Sequence, residues 1–79
     1  MDRSDFELIN RDEQPDGAIV YTLLIPALNI TRQYRRDAAT DYIEVIGEEK
    51  KIIVRGYDMS SIIGKRAREW IKAWETGAF

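Results

Sequence analysis

The sequence contains no cysteine and no histidine. The first absence excludes disulfides and thiolate–metal sites. The second removes the commonest general base, the usual partner of a serine nucleophile and the usual zinc ligand. Neither a metal site nor a cofactor is therefore expected. Two prolines and five glycines are the only strong punctuation in 79 residues, and no linker, repeat or low-complexity segment divides the chain. One domain covering 1–79 is the expectation. No run approaches the ~18 apolar residues of a membrane span. The opening Met1-Asp2-Arg3-Ser4-Asp5 is mixed and polar, unlike the basic-then-apolar start of a signal peptide. A cytoplasmic location, away from membranes, follows as the default.

What is present is apolar material and unevenly placed charge. Hydrophobic residues make up 44% and include two tryptophans. A chain this short buries only ~60% of the surface its unfolded form exposes, so a second copy or another chain could usefully extend the core. Net charge is −2. Acids dominate the first sixteen residues, whereas basic residues gather at Arg32, Arg35 and Arg36, at Lys50, Lys51 and Arg55, and at Lys65, Arg66 and Arg68. That asymmetry permits a basic face on an acidic protein.

Phe6 to Arg11 reads as a short strand, and Glu13-Gln14-Pro15-Asp16-Gly17 as a turn. Ala18 to Ile25 is apolar and β-branched. It reads first as a buried strand, although a buried helix capped at Asp16 also satisfies so short a run. Ala27 to Thr40 is expected to loop over the surface. Tyr42–Ile46 and Lys50–Tyr57, separated by Gly47-Glu48-Glu49, read as a β-hairpin. The C-terminal segment is helical: Ser60 or Ser61 can cap it, Ile63, Ala67, Trp70 and Trp74 form one stripe, and Gly77 stops it. The expected fold class is α+β, a small antiparallel sheet packed by a C-terminal helix, with both tryptophans in the core.

No catalytic pattern emerges. Ser60-Ser61 lacks a histidine to activate it and suits a helix cap. Asp12, Glu13 and Asp16, like Asp37, Asp41 and Glu44, lack calcium-loop spacing. Between Gly56 and Gly64-Lys65 the spacing is too long for a phosphate loop, and Arg66 stands where a hydroxyl should bind magnesium. A binding protein is expected, not an enzyme.

One string carries a more specific signal. Ile62-Ile63, then Gly64-Lys65-Arg66-Ala67, then Trp70 resembles the signature of the K-homology (KH) RNA-binding domain, with Ile52-Ile53-Val54 as the preceding strand. Ala67 stands at the family's second glycine position, and the resemblance covers about residues 42–74. It implies a loop at Gly64–Ala67 in which glycine admits the nucleic-acid backbone, Lys65 and Arg66 meet phosphates, and Ile62, Ile63 and Lys51–Arg55 border a groove for bases. The resemblance implies single-stranded RNA, or DNA, as partner. Arg68 adds to the same basic cluster. The same residues also fit an uninterrupted amphipathic helix from Ser60 to Thr76, with Gly64 costing ~1 kcal/mol.

Arg32-Gln33-Tyr34-Arg35-Arg36 is a second candidate. Its arginines could grip phosphates while Tyr34 stacks on a base, or the run could be a solvated loop. A different class remains open: Tyr34-Arg35-Arg36, the hairpin, Asp58 with Ser60-Ser61, and Trp70-Ile71-Lys72-Ala73 resemble the small dimerising subunit of the KEOPS tRNA-modification complex. That resemblance implies a homodimer or a protein partner.

Overall fold

Inward-facing side chains on alternate strand positions decide which face of the sheet is covered. The computed structural model describes residues 2–47 and 50–79. A single 3-10 turn (Arg3–Asp5) leads into β1 (Glu7–Glu13), β2 (Ile19–Ile25), β3 (Ile30–Arg36) and β4 (Ile43–Ile46), which pair in chain order as one antiparallel meander. A two-stranded ribbon follows, β5 (Ile53–Val54) with β6 (Tyr57–Asp58), and then the helix α1 (Ser60–Thr76). The expected α+β class, an antiparallel sheet packed by a C-terminal helix, is what is observed. No helix among the described residues is long and apolar enough to cross a membrane.

Of the apolar run at 18–25, Ile19–Ile25 forms a strand, with Tyr21, Leu23 and Ile25 buried on the face toward α1. Tyr34 on β3 and Ile43 on β4 continue that layer, and Ile63, Ala67, Trp70 and Ile71 close it from the helix. Gln14 to Gly17 makes the expected turn: Gly17 N–H donates to the Gln14 carbonyl at 2.9 Å and Gln14 N–H to that of Ala18 at 2.7 Å. A bulge between Leu8 and Asn10 turns Ile9 out to solvent at 53% exposure, consistent with the bend a bulge puts into an edge strand.

Three expectations are corrected. Residues 30–36 are not a surface loop but the third strand of the sheet. Pro26 to Asn29 reverses the chain, with Asn29 at φ +52°, and Ile30, Arg32, Tyr34 and Arg36 then alternate inward. The arginines at two of those four positions disguise the period. Next, β4 does not pair with the segment after Gly47. It pairs with β3, while the later ribbon turns on Arg55-Gly56, both at positive φ (+51° and +83°), the signature of a type I′ hairpin. Glu48 and Glu49 of the expected turn lie outside the described residues. Last, Trp70 is buried at 2% exposure, but Trp74 is 37% exposed. Trp74 sits at the rim, edge-on to Tyr21 with ring centroids 6.1 Å apart and with the Arg11 guanidinium 5.9 Å from its ring.

The helix begins without a serine cap. Ser60 N–H is held by the Asp58 carboxylate at 3.0 Å, while Ser60 Oγ accepts from Ile52 N–H at 2.9 Å. At the other end Gly77 stops the helix as expected, at φ +70°, with Gly77 N–H donating to Trp74 and Ala78 N–H to Ala73, a Schellman closure.

Candidate functional site

The two halves of α1 are held to the sheet differently. Toward its C-terminus the contact is polar and saturated. Tyr21 donates its hydroxyl to Glu75 Oε2 at 2.5 Å, Arg36 Nε donates to Glu75 Oε1 at 2.9 Å, and Arg36 also meets Asp41 at 2.7 Å. Burial, followed by the Glu75 hydrogen bond, pushes the Tyr21 hydroxyl above its ordinary pKa. Trp70 adds a bond from its indole N–H to the Arg3 carbonyl at 3.0 Å, and packs against Phe6.

Toward the N-terminus of α1 a cavity of about 330 Å³ opens between helix and sheet, lined by Arg32, Tyr34, Val45, Ser60, Ser61, Gly64 and Arg68. Arg32 is 7% exposed. One of its terminal nitrogens donates to the Lys50 carbonyl, and its Nε is buried with no hydrogen-bond partner among the described residues. No described carboxylate lies within 4 Å of its guanidinium. Asp58, on the far side of the first turn, is held below the ordinary carboxylate range chiefly by Ser60 N–H, with smaller help from the fields of Lys51 and Arg32. Burial raises the pKa of the Tyr34 hydroxyl, opposed by the nearby Arg32 and Arg68 charges. Arg68 folds back along the helix so that its Nη1 lies 3.6 Å from where a Cβ on Gly64 would stand.

The residues singled out in the sequence are thus redistributed. Gly64–Ala67 is helix interior and not a loop: Ala67 is fully buried, so it belongs to the core stripe and not to a second glycine-like hinge. Ile63 is core at 8% exposure, whereas Ile62 stands out at 49%. Lys65 and Arg66 are exposed. Arg66 borders the opposite flank of the helix with Phe6, Met59 and Ile63, apart from Arg68. Tyr34, at 1% exposure, has no free ring face to stack on a base. Arg35 is committed to Asp16 at 2.8 Å and Asp37 at 3.6 Å, and Arg36 to Glu75 and Asp41. Of the arginines in the Arg32–Arg36 run, Arg32 alone has no carboxylate within 4 Å among the described residues.

Four candidates, Arg32, Tyr34, Gly64 and Arg68, therefore meet at one cavity, with Lys65 one helical step away. Ser60, Ser61 and Val45 complete its lining and carried no sequence signal as ligands. Among the described residues no group of three acidic side chains could hold a metal ion. The arrangement offers cationic hydrogen-bond donors beside a helix start, which suits anion binding. No protein-family model matches the chain, and no curated protein or solved structure is significantly similar to it.

Proposed function

We propose that this chain is a non-catalytic module that binds single-stranded nucleic acid through the end of the molecule where α1 begins. The supporting observation is the way cations from three segments are tied together there. Arg32 of β3 holds the Lys50 carbonyl, Ser60 holds Ile52 N–H, and Met59 N–H donates to the Ile52 carbonyl. The Lys50-Lys51 segment is thereby fastened beside the first turns of α1, which carry Lys65 and Arg68. Phosphates are met by such a cluster without any need for sequence reading. The contact differs from the KH arrangement in using a helix surface where that family uses a loop. The resemblance of Ile62–Trp70 to the KH signature makes RNA the favoured strand.

The test is binding of a labelled single-stranded RNA, its DNA counterpart and a duplex, measured by fluorescence anisotropy. Lys65→Asp with Arg68→Asp replaces two attractive charges by two repulsive ones on one helix flank. It should abolish binding while the far-ultraviolet circular dichroism and melting profile stay near the parent's. Undiminished binding by this double variant would refute the reading.

A second reading has its own observation. The sheet face away from α1 carries no covering element among the described residues. The register places Asn10, Thr22, Gln33 and Ile46 in one row across it, beside half-buried Val20 and Leu24. An uncovered face of this kind suits a dimerising or scaffold subunit, as in the KEOPS resemblance. A concentration series by sedimentation velocity separates the readings: a stable dimer with no affinity for RNA would favour the second.

A further inference from the structure

We infer that the cavity between the first turns of α1 and the inner ends of β3 and β4 is a binding site for a phosphoryl group. This deepens the nucleic-acid reading and rests on it for the macromolecular source of the phosphate. The site itself stands on its own geometry.

Two independent features point to an anion. The first is Arg32, more than nine-tenths buried, lining the cavity, with its Nε unpartnered and no described carboxylate within 4 Å. A guanidinium carries its charge at any physiological pH, and a buried charge without a counter-ion is unfavourable unless one arrives. On the same strand and the same face, Arg36 has two carboxylates. Among the described residues the chain thus places an inward arginine twice and brings a carboxylate within 4 Å of it once.

The second feature is the start of a 17-residue helix on the opposite wall, where Ser60 and Ser61 line the cavity. The first N–H groups of a helix have no intrahelical acceptor, and here Ile63 N–H is the first to find one, at Met59. Asp58 takes the Ser60 N–H. The next two N–H groups of that turn, those of Ser61 and Ile62, carry the positive end of the helix dipole. Arg68 supplies a second guanidinium, and Gly64 leaves the wall beneath it without a side chain. Tetrahedral oxyanions are matched by convergent guanidinium forks and helix N–H donors. A carboxylate could use one fork, whereas donors on two opposite walls suit a group with three or four oxygens.

The experiment titrates sodium phosphate into the full chain at constant ionic strength, with chloride as the compensating salt. Amide shifts and the arginine Nε–H resonances are followed by nuclear magnetic resonance. The expected result is saturable change at Ser61, Ile62, Gly64 and the Arg32 Nε–H. Arg68→Gln, on the half-exposed flank of the helix, should weaken the site about tenfold, as loss of one charge-assisted contact implies. Shifts that rise linearly, spread over all exposed cations, or persist unchanged in Arg68→Gln would overturn the site. Two further arms separate the sources: an RNA oligonucleotide with a 5′-phosphate and the same strand with a 5′-hydroxyl. A preference for the first assigns the cavity to a strand terminus, and equal perturbation of the cavity by both assigns it to a backbone phosphate. Saturable phosphate binding with no oligonucleotide binding would keep the site and remove the nucleic-acid reading. Oligonucleotide binding that leaves Ser61–Gly64 unmoved would remove the site and keep the reading.

Discussion

Arg32 and Arg36 stand four residues apart on β3, with side chains on the same face, and they belong to differently built ends of the molecule. At the Arg36 end, Glu75 accepts from both the arginine and Tyr21, and Asp41 takes a second guanidinium nitrogen. At the Arg32 end the guanidinium donates to a backbone carbonyl beside a cavity, with no carboxylate within 4 Å among the described residues and Asp58 acting only as a more distant charge. The first arrangement secures the helix to the sheet. The second leaves a buried guanidinium without a near carboxylate among the described residues, and the proposed site is built on that. The contrast shows that an inward arginine in a small sheet is read by its counter-ion and not by its depth.

The largest effect expected from breaking this contrast lies at the secured end. Trp70→Ala removes the buried indole, its bond to Arg3 and its packing on Phe6, and should cost ~3–5 kcal/mol, enough to unfold a domain of this size in chemical denaturation. Trp74→Ala, at the rim, should cost clearly less. Equal losses would show that the rim position does not describe the packing.

Next in size is the difference between the two arginines themselves. Arg36→Met strips Glu75 and Asp41 of their cation and should cost roughly 1.5–3 kcal/mol, as lost hydrogen bonds to charged groups do. Arg32→Met in phosphate-free buffer removes a buried charge with no carboxylate within 4 Å among the described residues, so its stability should stay within about 1 kcal/mol of the parent. Urea midpoints for the two variants decide the point. A larger loss at Arg32 would mean that its charge is already compensated.

How far the fold was legible depended on how charge interrupts a period. The Gln14–Gly17 turn, the strand after it and the helix from Ser60 to Thr76 have unbroken apolar spacing or turn chemistry, and each appears where the residues place it. In Ile30–Arg36 the inward positions alternate between apolar or aromatic and arginine, so a buried strand resembled a solvated basic loop. The Arg55-Gly56 turn has no clear sequence signal because arginine rarely takes positive φ. The site was half legible. Arg32, Gly64 and Arg68 stood out as basic or small, but their convergence depends on β3 being a strand and on Gly64 sitting inside a helix, neither of which local spacing could decide. Tyr34 stood out for an exposed ring that the fold buries.

A smaller effect sharpens the reading of Gly64. Its missing Cβ would make only ordinary contact with Arg68, at 3.6 Å, so Gly64→Ala should raise stability by up to ~1 kcal/mol through helix propensity. A loop at this position would gain nothing of the kind. A drop in the melting midpoint would reopen the question of how residues 64–67 are arranged.

The central claim is that Lys65 and Arg68 of α1, which form no ion pair among the described residues, and not the ion-paired arginines of β3, meet nucleic acid. The measurement that tests it most directly is the slope of log affinity against log salt for single-stranded RNA. Each phosphate contact contributes roughly 0.7 to the slope for a single strand. Lys65→Gln with Arg68→Gln should therefore flatten it by about 1.4, whereas Arg35→Gln, whose charge is already met by Asp16 and Asp37, should leave it unchanged. A slope altered by Arg35→Gln and untouched by the Lys65 and Arg68 pair would contradict the account.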